Sequence, residues 1–234
     1  MKKFIFFLIC FWSYQVFGSK NFVLISAPGS GKGTFSQYLV EKHGYVQICP
    51  GDIFRSEIRA QTELGKKIQP IVEKGEYVDE AIVCELISSS LLKIIQENKN
   101  FIIDGFPRST ISFDFLYQFL QKHNVIKDVI FLQLQASDAV CINRILERKV
   151  CTQCFKVYND ATVQPKDANK CDDCKIELVL RKADNQELTE KRLLYFHAHV
   201  EPLMKQAEPL YTTQIIQSES SIQDLQVKYD QLLN

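Results

Sequence analysis

The sequence predicts an α/β fold with a central parallel sheet, and three observations carry that prediction. Short apolar runs bounded by polar residues, Phe22-Val23-Leu24-Ile25, Phe101-Ile102-Ile103 and Val129-Ile130-Phe131-Leu132, read as strands buried on both faces. Segments with apolar residues three and four apart alternate with them, at 81–96, 113–123, 137–148 and 189–206. A turn of small residues, Ala27-Pro28-Gly29-Ser30-Gly31, separates the first strand from a helix expected over 32–43. Helices packed on both faces of such a sheet make three layers.

Size and charge bound the rest. A chain of 234 residues buries one sizeable core and suits one domain with insertions at 19–234 better than two independent domains. Lys and Arg total 28 and Asp and Glu total 28, so no global field draws the chain to nucleic acid or anionic lipid. Any phosphate binding must then be local. Residues 1–18 differ from the remainder: Lys2 and Lys3 precede an apolar run from Phe4 to Trp12, and Val16-Phe17-Gly18 offers a small-residue cleavage site. This stretch fits a secretory signal peptide, with an uncleaved anchor as the alternative. Cys49, Cys84 and Cys141 are scattered singly, as buried thiols of a reducing compartment are. The expectation is therefore cytoplasmic, without stable membrane association unless the leader is retained.

The first strand leads into Ser26-Ala27-Pro28-Gly29-Ser30-Gly31-Lys32-Gly33-Thr34, and a helix follows. Strand, glycine-rich turn and helix N-terminus together form a phosphate-binding loop, in which backbone N–H groups and Lys32 converge on phosphate oxygens. Ser26 stands where the usual pattern begins with glycine, and Gly33 stands where Ser or Thr usually follows the lysine.

Two stretches break the strand and helix alternation, about 49–79 and about 149–184, and both read as insertions. The second contains Cys151-x2-Cys154, sixteen intervening residues, then Cys171-x2-Cys174. Two such knuckles close a tetrahedral tetrathiolate around structural zinc, and two disulfides are the alternative for the same residues. Zinc would order a segment too polar to form its own core. A nucleic-acid zinc ribbon does not fit, because Asp160, Asp167, Asp172 and Asp173 give no basic stripe.

Pro28-Gly29-Ser30-Gly31-Lys32-Gly33-Thr34, Pro50-Gly51-Asp52-Ile53-Phe54-Arg55 and Asp104-Gly105-Phe106-Pro107-Arg108, in that order, resemble the adenylate kinases with a long zinc-bound lid. The resemblance covers nearly everything after Lys20. It implies reversible transfer of a phosphoryl group from ATP to AMP by a monomer, with Mg²⁺ accompanying ATP and Zn²⁺ in the lid. On the ATP side it places Gly29, Ser30, Gly31, Lys32, Gly33, Thr34, Arg148, Val157 and Tyr158. On the AMP side it places Pro50, Arg55, Glu76, Tyr77, Val78, Gly105, Arg108 and Ser112, with Arg181 and Arg192, eleven residues apart, closing over the transferring group. Asp104 is implied to orient water on magnesium. Arg144 and Arg148 are expected four apart on one helix face.

Two positions depart from the family: Pro50 stands where AMP-specific members have Thr, and Ser112 stands near their adenine-reading Gln. The phosphate contacts are intact and the base contacts are not, which keeps a UMP or CMP kinase as the enzymatic rival. The rival of another class is a non-catalytic zinc and nucleotide binding module. Ala183 replaces one of a usual acidic pair, and Ile215-Ile216-Gln217-Ser218 lacks the family's Asp-Gly turn.

Overall fold

A computed structural model describes residues 20–160, 162–181 and 183–233, so the leader lies outside the described residues. Five parallel strands form the central sheet in the order β2-β3-β1-β4-β8: β1 Asn21–Leu24, β2 Val46–Ile48, β3 Phe101–Asp104, β4 Val129–Gln135 and β8 Thr212–Gln217. β1 lies at the centre, paired with β3 through Leu24 and Asp104 and with β4 through Leu24 and Leu132. In open parallel sheets ligands bind beyond the carboxyl ends of the strands, at the point where the strand order reverses. The turn after β1 and the carboxylate ending β3 meet there.

Alternation along the strands sorts the core into two layers. Val23 and Ile25 face one side with Ile103 and Phe131, packing on α4 (Glu80–Gln96), α5 (Thr110–Lys122) and the helical region after Gln186. Phe22 and Leu24 face the other with Ile102, Ile130 and Leu132, packing on α1 (Lys32–His43) and α9 (Ile222–Leu233). Each layer buries a different half of the same short strands, which is why their sequence reads as continuous apolar runs.

Several expectations need correction. The run 189–206 is not one helix. α7 ends at Tyr195 after starting at Gln186, a π-helical turn follows at Phe196–Val200, and α8 spans only Leu203–Ala207. Pro202 supplies no N–H to continue an α-helical ladder, and the Glu201 N–H reaches back to Phe196 O at 2.8 Å. The helix expected over 137–148 closes earlier, as α6 Asp138–Leu146. Arg148 is therefore not helical and does not share a helix face with Arg144; it opens strand β5, Arg148–Cys151. α5 starts at Thr110 rather than 113, because Ser109 and Ser112 make a reciprocal capping box. β2 and β8 were not legible as strands: β2 has three residues, and β8, Thr-Thr-Gln-Ile-Ile-Gln, is a largely exposed edge without clean alternation.

Two smaller bodies rise over the carboxyl edge. α2 (Pro50–Ala60) and α3 (Glu63–Glu73) pack around Phe54, Ile68 and Val78. Gly65 lets them approach, since a Cβ there would lie 2.1 Å from Glu57 O. The other body is an antiparallel sheet of β5, β6 (Val157–Asn159) and β7 (Leu178–Leu180) in the order β6-β5-β7. Among the described residues no helix is long and apolar enough to cross a membrane.

Candidate active site

The turn after β1 is fixed from behind. Gly29 has φ +82°, and a Cβ there would lie 2.3 Å from Cys141 O, so no side chain is tolerated without displacing α6. Ser218, at the end of β8, donates to Ser30 O at 2.8 Å and holds the turn from the other flank. Lys32 folds back over the loop, its Nζ donating to Ser26 O at 2.9 Å and Ala27 O at 2.8 Å. Burial draws the Lys32 ammonium below its usual range and pushes the Asp104 carboxyl above its own, while their mutual attraction offsets both. Asp104 accepts from Gln47 Nε2 at 3.2 Å.

Two cavities open from this floor. The larger, about 880 Å³, is lined by Gly29, Gly31, Lys32, Gly33, Thr34, Asp104, Arg148, Val157 and Arg181. The smaller, about 420 Å³, is lined by Pro50, Arg55, Glu76, Tyr77, Val78, Gly105, Arg108, Ser112 and Arg192. Both are lined by Pro28, Lys32 and Arg55, so they meet at the phosphate loop. An ensemble of cations thus stands where the two cavities join.

These cations are oriented by neighbours. The Asp184 side chain, 3% exposed, receives Arg148 in a two-pronged bond, Nε and NH2 each at 2.7 Å, and lies 3.9 Å from Arg192 NH1. Arg108 donates to Gly105 O at 2.7 Å and lies over the Tyr77 ring, 4.9 Å from its centroid. Tyr77 in turn packs on Tyr195, with ring centroids 4.3 Å apart. Arg55 pairs with Asp52 one turn earlier on α2. Arg181 is held down to about 9, first by burial and then by repulsion from Arg55 and Arg148, with Asp184 and Asp52 offsetting this. Such crowding of positive charge is relieved by anions. The buried Nε groups of Arg55 and Arg181 and the Ser30 hydroxyl have no hydrogen-bond partner among the described residues, which suits oxygen-rich ligands.

The lid knuckles bring Cys151, Cys154, Cys171 and Cys174 together, their sulfurs all within 4.8 Å of one another. The Cys154 and Cys171 sulfurs stand 3.6 Å apart, far outside a disulfide bond. Backbone N–H groups of Gln153 and Cys154 point at Cys151 Sγ, and that of Cys174 points at Cys171 Sγ, an arrangement that favours thiolates. The effect is uneven: desolvation and the neighbouring sulfurs push the Cys154 thiol up, whereas the N–H groups of Cys174 and Asp173 and the Tyr158 hydroxyl outweigh desolvation at Cys171 and draw its thiol down to about 6. The donor set and spacing fit zinc.

Not every expected residue reaches the cavities. Tyr158 is buried inside the lid, donating to Cys171 Sγ and accepting from Asp172 N at 2.8 Å, while Val157 faces the larger cavity. Strand alternation sends neighbours to opposite faces. Ser30 lies beneath the loop and Arg181 lines the larger cavity. Sequence reasoning missed Asp184 as the orienting carboxylate, along with Phe155, Lys156 and Ser218. It also missed Arg59, whose NH1 donates to Thr152 O at 2.7 Å and Gln153 O at 2.9 Å, tying α2 to the first knuckle. None of these had a local signal: Ser218 follows a strand that was not legible, and the others depend, as it does, on contacts between distant segments.

A family model described as adenylate kinase matches residues 24–212. An adenylate kinase of Thermotoga neapolitana is 36% identical over 185 residues, 78% of this chain and 82% of that protein. One from Borrelia garinii subsp. bavariensis is 36% identical over 183 residues, 78% of this chain and 83% of its own. One from Paracoccus denitrificans is 35% identical over 185 residues, 79% and 83% of the respective chains. The chain belongs to the adenylate kinase family.

Proposed function

We propose that this adenylate kinase family chain moves the terminal phosphoryl group of ATP to AMP, reversibly, giving two ADP, with a division of labour set by its two cavities. The observation that carries this reading is the shared lining at Lys32 and Arg55, where two nucleotides entering from opposite sides would meet end to end. ATP takes the larger cavity, with its phosphates on the loop from Gly29 to Thr34. AMP takes the smaller, with its phosphate between Arg55 and Arg108.

Transfer needs little covalent work from the protein. An oxygen of the AMP phosphate bonds to the γ-phosphorus as the bond from that phosphorus to the β–γ bridging oxygen breaks, and the electron pair leaves with ADP. Lys32, Arg148, Arg181 and Arg192 spread the negative charge of the moving group, and fixed cations in a water-poor cleft act more strongly than they would in solution. Asp184 keeps Arg148 and Arg192 aimed, so their reorganisation during transfer is small. Magnesium, which the family uses with ATP, would be held at the Asp104 carboxylate and neutralise phosphate charge. The lid and the α2–α3 body together exclude water, so ATP is not hydrolysed when AMP is absent.

Zinc at the four lid cysteines is structural in this reading, since a tetrathiolate leaves no open position for substrate. The chain acts as a single copy. A coupled assay of ADP formation, offering AMP, UMP, CMP and GMP in turn with ATP, tests the proposal. AMP should give the highest kcat/KM, and absence of turnover with every acceptor would remove it.

A further inference from the structure

We propose that Glu80 reads the exocyclic amino group of the acceptor base, a role that rests on the assignment of AMP to the smaller cavity. That cavity is lined by the cations Lys32, Arg55, Arg108 and Arg192 and by an apolar wall of Phe54, Val72, Val78 and Val83, which share one cluster. A nucleotide with its phosphate among the cations leaves that wall to its base. Glu80, one turn before Val83 on the same helix, lines the cavity in a bonded group with Ser109 and Ser112.

Ser112 is committed elsewhere. It is 0% exposed, its Oγ accepts from Arg108 N at 3.1 Å and Ser109 N at 3.0 Å, and it donates to Ser109 O at 3.1 Å. Ser109 is committed too: its Oγ accepts from Ser112 N at 3.1 Å and gives its one proton to Glu80 Oε1. Neither hydroxyl has a donor left for a base. Glu80 remains, with Oε1 engaged by Ser109 and Oε2 without a hydrogen-bond partner among the described residues. It is the first residue of α4, where the positive end of the helix favours a carboxylate, and Asp79 caps the helix beside it.

A carboxylate only accepts hydrogen bonds. The amino group at position 6 of adenine donates, so Glu80 Oε2 and adenine are matched. A keto oxygen at that position, as in hypoxanthine, sets acceptor against acceptor and leaves both desolvated. Glu80 thereby supplies a base contact by a different side chain from a different element, and the short Ser112 is relieved of that duty.

AMP and IMP differ only along the edge in question, where the 6-amino donor becomes a keto acceptor and N1 gains a proton, so their kcat/KM ratio reports on how that edge is read. The wild-type enzyme should prefer AMP strongly. Glu80→Gln keeps the size and the bond from Ser109 and adds an N–H₂ that donates to a keto oxygen. Its AMP-to-IMP ratio should fall by about tenfold to a hundredfold, with KM for ATP unchanged. A purely structural role in propping Ser109 would lower activity with both acceptors alike, or lower Tm, and leave the ratio intact. An unchanged ratio in Glu80→Gln, with AMP still preferred by the wild type, overturns the role of Glu80 alone. A wild-type enzyme that uses UMP or IMP as well as AMP overturns both this role and the acceptor assignment.

Discussion

The phosphate loop and the lid both present cations to the larger cavity, Lys32 from one and Arg148 from the other, yet they are held by opposite means. The loop follows β1, whose residues are at most 4% exposed, and rests on two apolar layers with Cys141 and Ser218 braced against it. Among the described lid residues the buried centre is small, Cys151, Tyr158 and Cys171 with Val150 and Asn159 beside them. The lid is tied to the rest by surface bonds such as Lys156 to Glu41 at 3.1 Å and Arg59 to the first knuckle. The floor is built on hydrophobic burial; the cover is built from polar ties and a cluster of four sulfurs. Burial makes a surface rigid because interiors are close-packed, whereas exposed ion pairs are worth little and exchange readily with water.

The sharpest way to break this contrast is to remove charge from the floor alone. Lys32→Ala should reduce kcat by about a thousandfold or more and lower Tm only slightly, since its partners are loop carbonyls and the Asp104 carboxyl it leaves behind can take up a proton. Steady-state kinetics beside a thermal melt check both halves. Next in size is Asp184→Ala, which leaves Arg148 without its buried partner. Removing one member of such a pair costs about 3–5 kcal/mol, and kcat should fall about a hundredfold as Arg148 and Arg192 lose their aim.

Disabling the lid cluster, by chelation or by Cys171→Ser, should melt the lid as a separate low-temperature transition and raise KM for ATP about tenfold or more. The main transition of the five-stranded core should stay in place. Calorimetry showing one cooperative transition that falls as a whole would mean that floor and lid are a single unit. Arg59→Ala should be milder, a few-fold loss in kcat/KM, because its bonds to Thr152 O and Gln153 O are solvent-exposed.

The smallest effect lies away from both regions. His197 donates from Nδ1 to Glu201 Oε2 at 2.8 Å and from Nε2 to Asp138 Oδ1 at 3.0 Å, contacts that raise its pKa above the usual value despite some desolvation. The folded value exceeds the unfolded one, so this stabilisation is fully present below the unfolded pKa and is lost as pH rises through the folded pKa. Its side chain is 43% exposed, so solvent screening keeps the effect small. His197→Gln should flatten the Tm-against-pH curve across neutral pH by about a degree or two.

The sequence made the floor legible and left the ties obscure, for physical reasons. Residues 22–25 and 29–34 act locally: a buried strand, a glycine turn and a helix start are each dictated by neighbours in the chain. The lid cysteines were equally legible, because metal ligation imposes fixed spacing. Arg59 and Glu80 escaped notice, and Asp184 and Ser218 were legible only as motif positions without these contacts, because each works on a partner distant in sequence and a lone polar residue carries no periodic signature. Arg148 was misplaced onto a helix for the same reason, since the turn that ends α6 at Leu146 has neither proline nor glycine to announce it. Tyr158 was assigned to ATP without regard to strand alternation, which sends it into the lid instead.

The claim that fixed cations hand a phosphoryl group directly from one nucleotide to another is tested most directly by tracing the label from ATP labelled at the γ-phosphate. With AMP present, all of the label should appear in ADP, with none on the protein and almost none as free phosphate. Label recovered chiefly as inorganic phosphate, or bound covalently to the chain, would contradict it.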